Sequence, residues 1–117
     1  MIVADLEAGI GTLTRLDAAK LDAVLVVVEP TPRSIEVGQR AVELAVAARQ
    51  GRILVVANRV TDDADEAAVR AAFPDAEVVV VPADPAVMAA DRVGVSPLDS
   101  APESPAVRAL VALAGRF

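Results

Sequence analysis

Residues 23–28 have the sequence Ala-Val-Leu-Val-Val-Val, an uninterrupted apolar run bounded by Asp22 and Glu29. Two more short runs rich in valine follow it, at Ile53–Ala57 and Val78–Val81. Continuous runs of this length are typical of strands buried on both faces of a parallel sheet, whereas a strand with one solvated face alternates apolar and polar residues. The three runs therefore predict the strands of a parallel β-sheet.

Helical spacing of apolar residues appears between these runs, most clearly over residues 32–50. A capping residue followed by proline opens three helices, because proline at the first helical position loses no needed hydrogen bond; the pairs are Thr31-Pro32, Asp84-Pro85 and Ser104-Pro105. Asp63 with Glu66 is expected to form a capping box for another helix, and Gly115 to cap the last one. The sequence predicts strands at 2–5, 23–28, 53–58 and 77–81, and helices at 12–19, 32–50, 62–73, 85–92 and 104–115.

Strand and helix alternate along the chain, which predicts an α/β fold with a parallel sheet of about four strands and flanking helices. A chain of 117 residues with 55% hydrophobic content is long enough to bury a core, and we expect one domain over residues 1–117. Only residues 93–103 have the composition of a loop.

The composition excludes several kinds of chemistry. The sequence contains no Cys and no His, so thiol redox chemistry, zinc sites of the usual kind and Ser-His-Asp catalysis are all excluded. A net charge of −6 argues against a nucleic-acid partner, because the phosphate backbone attracts basic surfaces. The apolar run at 23–28 is far too short to span a membrane, and no basic leader precedes it. We therefore expect a cytoplasmic protein with no membrane or nucleic-acid partner.

Polar residues and prolines follow the predicted strands, at the edge where open α/β sheets bind ligands. Asp5 could accept a hydrogen bond from a water on Mg²⁺, an ion that keeps much of its hydration. Asn58 offers a donor and an acceptor to a purine edge. Each has an ordinary alternative, since Asp commonly caps a helix or forms a turn and Asn commonly closes one. The residues expected at this edge are Asp5, Glu7, Glu29, Asn58, Pro82 and Asp84.

Four segments carry a resemblance to a known family; they are Asp5-Leu-Glu-Ala-Gly-Ile-Gly-Thr-Leu, the run at 23–28 followed by Glu29-Pro-Thr-Pro-Arg-Ser-Ile-Glu, Val55-Val-Ala-Asn-Arg-Val, and Val81-Pro-Ala-Asp-Pro-Ala-Val. In this order they resemble the C-terminal half of the MinD/ParA-type P-loop ATPases. Glu7 stands where MinD and ParA proteins usually have proline. This favours the CooC type, ATPases that assist nickel insertion into carbon monoxide dehydrogenase.

The resemblance implies ATP and Mg²⁺ as cofactors and a role for each matching residue. Asp5 resembles the Walker-B aspartate that reaches Mg²⁺ through water, and Gly9 the switch glycine that senses the γ-phosphate. Asn58 resembles the asparagine that recognises adenine, with Arg59 beside it. The segment Pro82–Asp84 is similar to the loop that closes over the base.

The sequence also departs from the family pattern. The family's phosphate loop with its two lysines precedes the Walker-B strand, whereas Lys20 is the single lysine here and no glycine-rich Lys-Ser/Thr loop is present. Backbone N–H groups of such a loop supply most of the phosphate affinity. We therefore expect weak ATP binding and no hydrolysis by these residues alone. The resemblance implies a truncated P-loop fold without the phosphate-loop strand, and we expect a truncated gene product or a piece of a longer one.

A second hypothesis comes from a different functional class. Without the phosphate-loop strand the sheet has an unpaired edge, which can recruit another chain. The chain would then be a non-catalytic interaction module that associates through this edge and the switch loop with itself, with a missing N-terminal half or with a full-length ATPase. A protein client is a further possible partner. A receiver-type phosphoacceptor domain is a third alternative, but it needs a lysine at the end of a late strand, and Lys20 is not in that place.

Overall fold

Three parallel strands form the sheet of the computed structural model, which describes residues 1–6 and 20–117. They are β1 (Ala23–Val28), β2 (Arg52–Val60) and β3 (Glu77–Pro82), and they lie in the order β1-β2-β3. The central strand β2 is fully buried from Leu54 to Ala57, because it has a neighbour on each side and helices over it. The α/β class and the parallel sheet predicted from the three apolar runs are confirmed.

Five helices follow and separate the strands in the described part of the chain. Thr31 accepts a hydrogen bond from the Ser34 N–H group, and Asp84 accepts one from Ala86, so two of the predicted capping sites are confirmed. Within residues 1–6 and 20–117 no helix has the length and apolar content needed to cross a membrane. The helices are α1 (Pro32–Ala47), α2 (Asp63–Ala72), α3 (Pro85–Val93), α4 (Pro97–Ser100) and α5 (Pro105–Ala114).

The core has two parts, one on each face of the sheet, because successive strand residues point to opposite faces. On one face, α1 and α2 cover the sheet; this cluster contains Val24, Val26, Val28, Val55, Ala57, Ala45, Val69 and Phe73. On the other face, α5 covers β2 and β3; this cluster contains Leu54, Val56, Val81, Ala106 and Leu113. Neither cluster covers Leu25 and Val27 of β1, which remain 43% and 61% exposed.

The strand predicted at 2–5 is wrong. Residues 1–6 have no regular secondary structure, and Ile2 and Val3 are 97% and 81% exposed. A strand needs a neighbour to satisfy its backbone N–H and C=O groups, and β1 pairs only with β2 within the described residues. The helix predicted at 12–19 lies outside the described residues.

Three further features of the helices differ from prediction. The capping box of Asp63 and Glu66 is wrong, because Asp62 is the N-cap and accepts from the Asp65 N–H group. The loop predicted at 93–103 contains α4, which begins at proline after a serine cap. The first long helix ends before residue 50, because Arg49 adopts a left-handed conformation with φ of 51°.

Candidate functional site

The carboxyl ends of the three strands meet at one edge of the sheet, as the parallel order requires. Val28 lies beside Ala57 in the ladder, Asn58 beside Val81, and Val60 beside Pro82. The residues that follow the strands therefore gather at the same edge, which we call the carboxyl edge. Four residues expected there from the sequence are in place: Glu29, Asn58, Pro82 and Asp84.

Asn58 has the most available side chain at the carboxyl edge. It is half-buried, and its amide makes no hydrogen bond to any residue in the described ranges. By alternation along β2 it lies on the face that carries Leu54 and Val56. An amide so placed has one acceptor and two N–H donors left for a ligand.

Arg59 interrupts the regular strand next to Asn58. Its φ is 60°, a left-handed conformation that side chains other than glycine seldom adopt, and the register between β2 and β3 shifts there. Val60, which follows the bulge, is fixed in place. Its side chain is buried in the core, and its backbone carbonyl accepts a hydrogen bond from the Ala83 N–H group at 2.8 Å. The bulge therefore fixes the end of β2.

The Arg59 side chain crosses to the end of β1. Its Nη1 atom lies 3.3 Å from Oε1 of Glu29, with both side chains about half exposed. An exposed pair of this kind contributes little to stability, at most about 1 kcal/mol. The pair matters for position, because it links the ends of β1 and β2 at the carboxyl edge.

Asp84 joins two helices through its carboxylate. Oδ1 accepts from the Ala86 N–H group at 2.9 Å, which caps α3, and Oδ2 accepts from the Ala106 N–H group at 3.0 Å, which caps α5. These hydrogen bonds, chiefly the one from Ala106, lower the pKa of Asp84 below its ordinary value of 3.8. Because Ala83 bonds to β2 as well, the turn from Pro82 to Asp84 is fixed at both ends.

Asp5, the residue predicted to reach Mg²⁺ through water, does not lie at the end of a strand in the described structure. Asp5 lies exposed in the irregular segment 1–6, where it lines a cleft beside β1 instead of ending a strand. Glu7 and Gly9 lie outside the described residues. Within residues 1–6 and 20–117 there is no group of three or more His, Cys, Asp and Glu side chains that could hold a metal ion.

Sequence reasoning missed the link between Glu29 and Arg59, although a signal was present. Both residues follow or end neighbouring parallel strands, and they have opposite charges, so their proximity follows from the strand order. The left-handed conformation of Arg59 had no such signal. Asn adopts a positive φ more readily than Arg, so the sequence favours Asn58 rather than Arg59 as the left-handed residue.

The chain is similar to one curated protein, an uncharacterized ATP-binding protein of Methanocaldococcus jannaschii, with 31% identity over 122 residues. The match covers 100% of this chain and 46% of that protein, so the chain spans about half the length of the curated relative it matches. No protein-family model matches the chain.

Proposed function

We propose that this chain is the adenine-binding half of an ATP-binding α/β protein, and that its carboxyl edge holds the base. The observation that carries the proposal is the half-buried Asn58 amide, which has no partner in the described part of the chain. The relative from Methanocaldococcus jannaschii, which is described as ATP-binding, supports the choice of nucleotide. The resemblance of the motifs extends the proposal to a CooC-like ATPase that assists the maturation of a metal centre.

Asn58 suits adenine for a chemical reason. The Watson–Crick edge of adenine presents an amino donor beside a ring-nitrogen acceptor, and a primary amide presents the complementary acceptor and donor. The bulge at Arg59 and the turn Pro82–Asp84 fix the backbone on either side of Asn58. The base would then meet a rigid frame, so little entropy is lost on binding.

The phosphates and Mg²⁺ have a poorer fit to the described residues. No cluster of three metal-ligating side chains occurs there, and the sequence has no glycine-rich Lys-Ser/Thr loop. Base contacts alone give weak binding, and we expect a dissociation constant near 1 mM, equivalent to about 4 kcal/mol. We expect no ATP hydrolysis by this chain alone, since nothing described here stabilises a transferring phosphoryl group.

The test is a titration of the wild-type chain and two isosteric variants with ATP and GTP, followed by NMR chemical shifts. Asn58→Asp replaces the amide donors by acceptors, so ATP affinity should fall roughly tenfold. Guanine presents two donors at the same edge, so GTP should lose less affinity. Gln39→Glu is the matched control, because it makes the same change of group and charge on α1, where the Gln39 amide donates to the Ala72 carbonyl.

Three results would contradict the proposal, each in a different way. No ATP-dependent shift of the wild-type chain at about tenfold the expected dissociation constant would remove nucleotide binding itself. Equal losses in Asn58→Asp and Gln39→Glu would show only an effect of net charge. Unchanged ATP affinity in Asn58→Asp would place the base elsewhere.

A further inference from the structure

An apolar cleft runs along the edge of β1 that pairs with no strand in the described part of the chain. Its volume is about 1010 Å³, and its walls are β1, the start of α1, residues 3–6 and Phe117. Leu25 and Val27 face it with 43% and 61% of their surface exposed. A parallel sheet is normally covered on both faces, so this end of the sheet is incompletely packed.

The two edges of the sheet differ in their protection against pairing. The β3 edge begins at Glu77, which pairs with Arg52 and Arg116, and it ends at Pro82. Charged residues and proline are the usual means of blocking an edge strand. The β1 edge has neither across Ala23–Val28, and its six residues are all apolar. Strand addition is therefore expected at β1 rather than at β3.

We propose that two copies of this chain pair through their β1 edges, antiparallel about a two-fold axis, to form one continuous six-stranded sheet. A two-fold contact uses the same patch on both copies and closes on itself. Leu25 and Val27 of the two copies would then lie side by side across the seam, so that each copy shields part of their exposed surface. This inference is independent of nucleotide binding.

The alternation of faces limits the register of this pair. Leu25 and Val27 share the uncovered face, whereas Val24, Val26 and Val28 belong to the core under α1. Residues directly opposite in an antiparallel pair lie on the same face, and a slip by one residue exchanges the faces. The axis must therefore pass through a residue. The two axes that pair most of Ala23–Val28 are at Leu25, with Ala23 opposite Val27, and at Val26, with Leu25 opposite Val27.

Charge favours a second copy in the antiparallel direction. Asp22 precedes the strand, whereas Arg33 lines the cleft beyond its carboxyl end and makes no ion pair in the described ranges. Antiparallel pairing brings Asp22 of each copy to the end that carries Arg33 of the other, where the charge of Glu29 is already paired with Arg59. A parallel arrangement would place like charges together. Residues 3–6 must move aside, and the 81% exposure of Val3 shows that little packing opposes this.

Cysteine cross-linking tests the pairing directly, since the natural sequence has no Cys. Leu25→Cys and Val27→Cys would be treated with a short bismaleimide, singly and mixed, and light scattering would measure the mass of the untreated wild-type chain. An axis at Leu25 predicts that Leu25→Cys cross-links to itself, and an axis at Val26 predicts that Leu25→Cys links to Val27→Cys. Val46→Cys is the matched control, because Val46 is 60% exposed on α1 outside the cleft.

A charge variant gives a second measurement. Val27→Lys should raise the dimer dissociation constant by roughly tenfold or more, because it puts a charge at the seam in each copy. Its circular dichroism should stay that of the wild type, since Val27 is already exposed. A wild-type mass equal to one chain at about 100 μM, where specific dimers are well populated, would overturn the proposal. So would equal cross-linking of Val46→Cys, or failure of both predicted cysteine pairs to link.

Discussion

Arg59 combines a strained backbone with an exposed ion pair at the carboxyl edge. A left-handed conformation costs a residue with a Cβ atom about 1–2 kcal/mol. The conformation is retained because Val60 is anchored both in the core and to Ala83. Strain of this kind tends to be kept at ligand sites, where it fixes the position of a neighbouring group. Here the neighbouring group is the amide of Asn58, which we propose contacts the base.

Replacement of Arg59 tests whether the backbone is strained. Arg59→Gly and Arg59→Ala both lose the ion pair with Glu29, but glycine adopts a positive φ without strain. We expect Arg59→Gly to be more stable than Arg59→Ala by about 1 kcal/mol in urea unfolding. Arg70 in α2 is the control, where the glycine variant should be less stable than the alanine variant by about 1 kcal/mol. The same order at both positions would contradict the strained conformation.

At the scale of the elements, α1 packs tightly against the sheet at Gly38, which is buried. A Cβ atom at this position would overlap Cγ1 of Val28 and come within 3.2 Å of the Phe73 ring. Glycine is therefore required by close packing, although it lowers the helix propensity of α1. The small side chains of the sequence, mostly Ala and Val, serve the same close approach of helix and strand.

Gly38→Ala should destabilise the protein even though alanine is the better helix former. Overpacking costs about 1–3 kcal/mol and the gain in propensity is about 1 kcal/mol, so we expect a net loss of up to about 2 kcal/mol. Gly115→Ala is a matched control, because its Cβ would meet nothing closer than 3.6 Å. Thermal unfolding by circular dichroism compares the two. A Gly38→Ala variant as stable as Gly115→Ala would show that α1 is less tightly packed than described.

Local chemistry explains which elements could be predicted from sequence. β1 is predicted to the residue, and the helices at Pro32 and Pro85 begin where a capping side chain meets proline. What failed depends on partners that lie elsewhere in the chain. Residues 2–4 are apolar and have strand composition, but they pair with no strand among the described residues. The N–H group of Ala106 in α5 is capped by Asp84, 22 residues away.

The candidate site also has a part that the sequence predicts and a part that depends on distant residues. The parallel order of the strands alone brings Asn58 and Pro82 to one edge, so that part could be predicted. The left-handed turn at Arg59 is imposed by the return of Val60 to the core, which no local pattern indicates. Asp5 was expected at a strand end, and without a strand there it lies in the cleft beside β1.

At the scale of the molecule, three carboxylates of the described residues bond to neighbouring segments, and each has a lowered pKa. The Thr61 hydroxyl and N–H groups lower the pKa of Asp65, Arg116 and then Arg52 lower that of Glu77, and the Ala106 N–H group chiefly lowers that of Asp84. A carboxyl with a lower pKa in the folded state stabilises the fold above its ordinary pKa. That stability is lost as the pH falls through the lowered value.

We therefore expect the free energy of unfolding to fall as the pH drops below the ordinary values of 4.5 for Glu and 3.8 for Asp. Urea unfolding at a series of pH values would measure it. Asp84→Asn should be less stable at neutral pH, because one amide oxygen replaces two carboxylate oxygens that cap α3 and α5. Its deficit should shrink below pH 3.8. A deficit that stays constant down to about pH 2 would contradict the linkage.

Phe117 stands at the amino end of the sheet, with the Arg52 guanidinium 5.9 Å above its ring, and it also lines the cleft beside β1. The sequence contains no Trp and no Tyr. A tryptophan introduced at position 117 would therefore be the one strongly fluorescent side chain of the molecule. Six strand residues, or roughly 20 Å, separate Arg52 from Asn58. The emission of the tryptophan would change when a strand enters the cleft. It would stay nearly unchanged when a nucleotide binds at the carboxyl edge, so one optical signal would distinguish the two events.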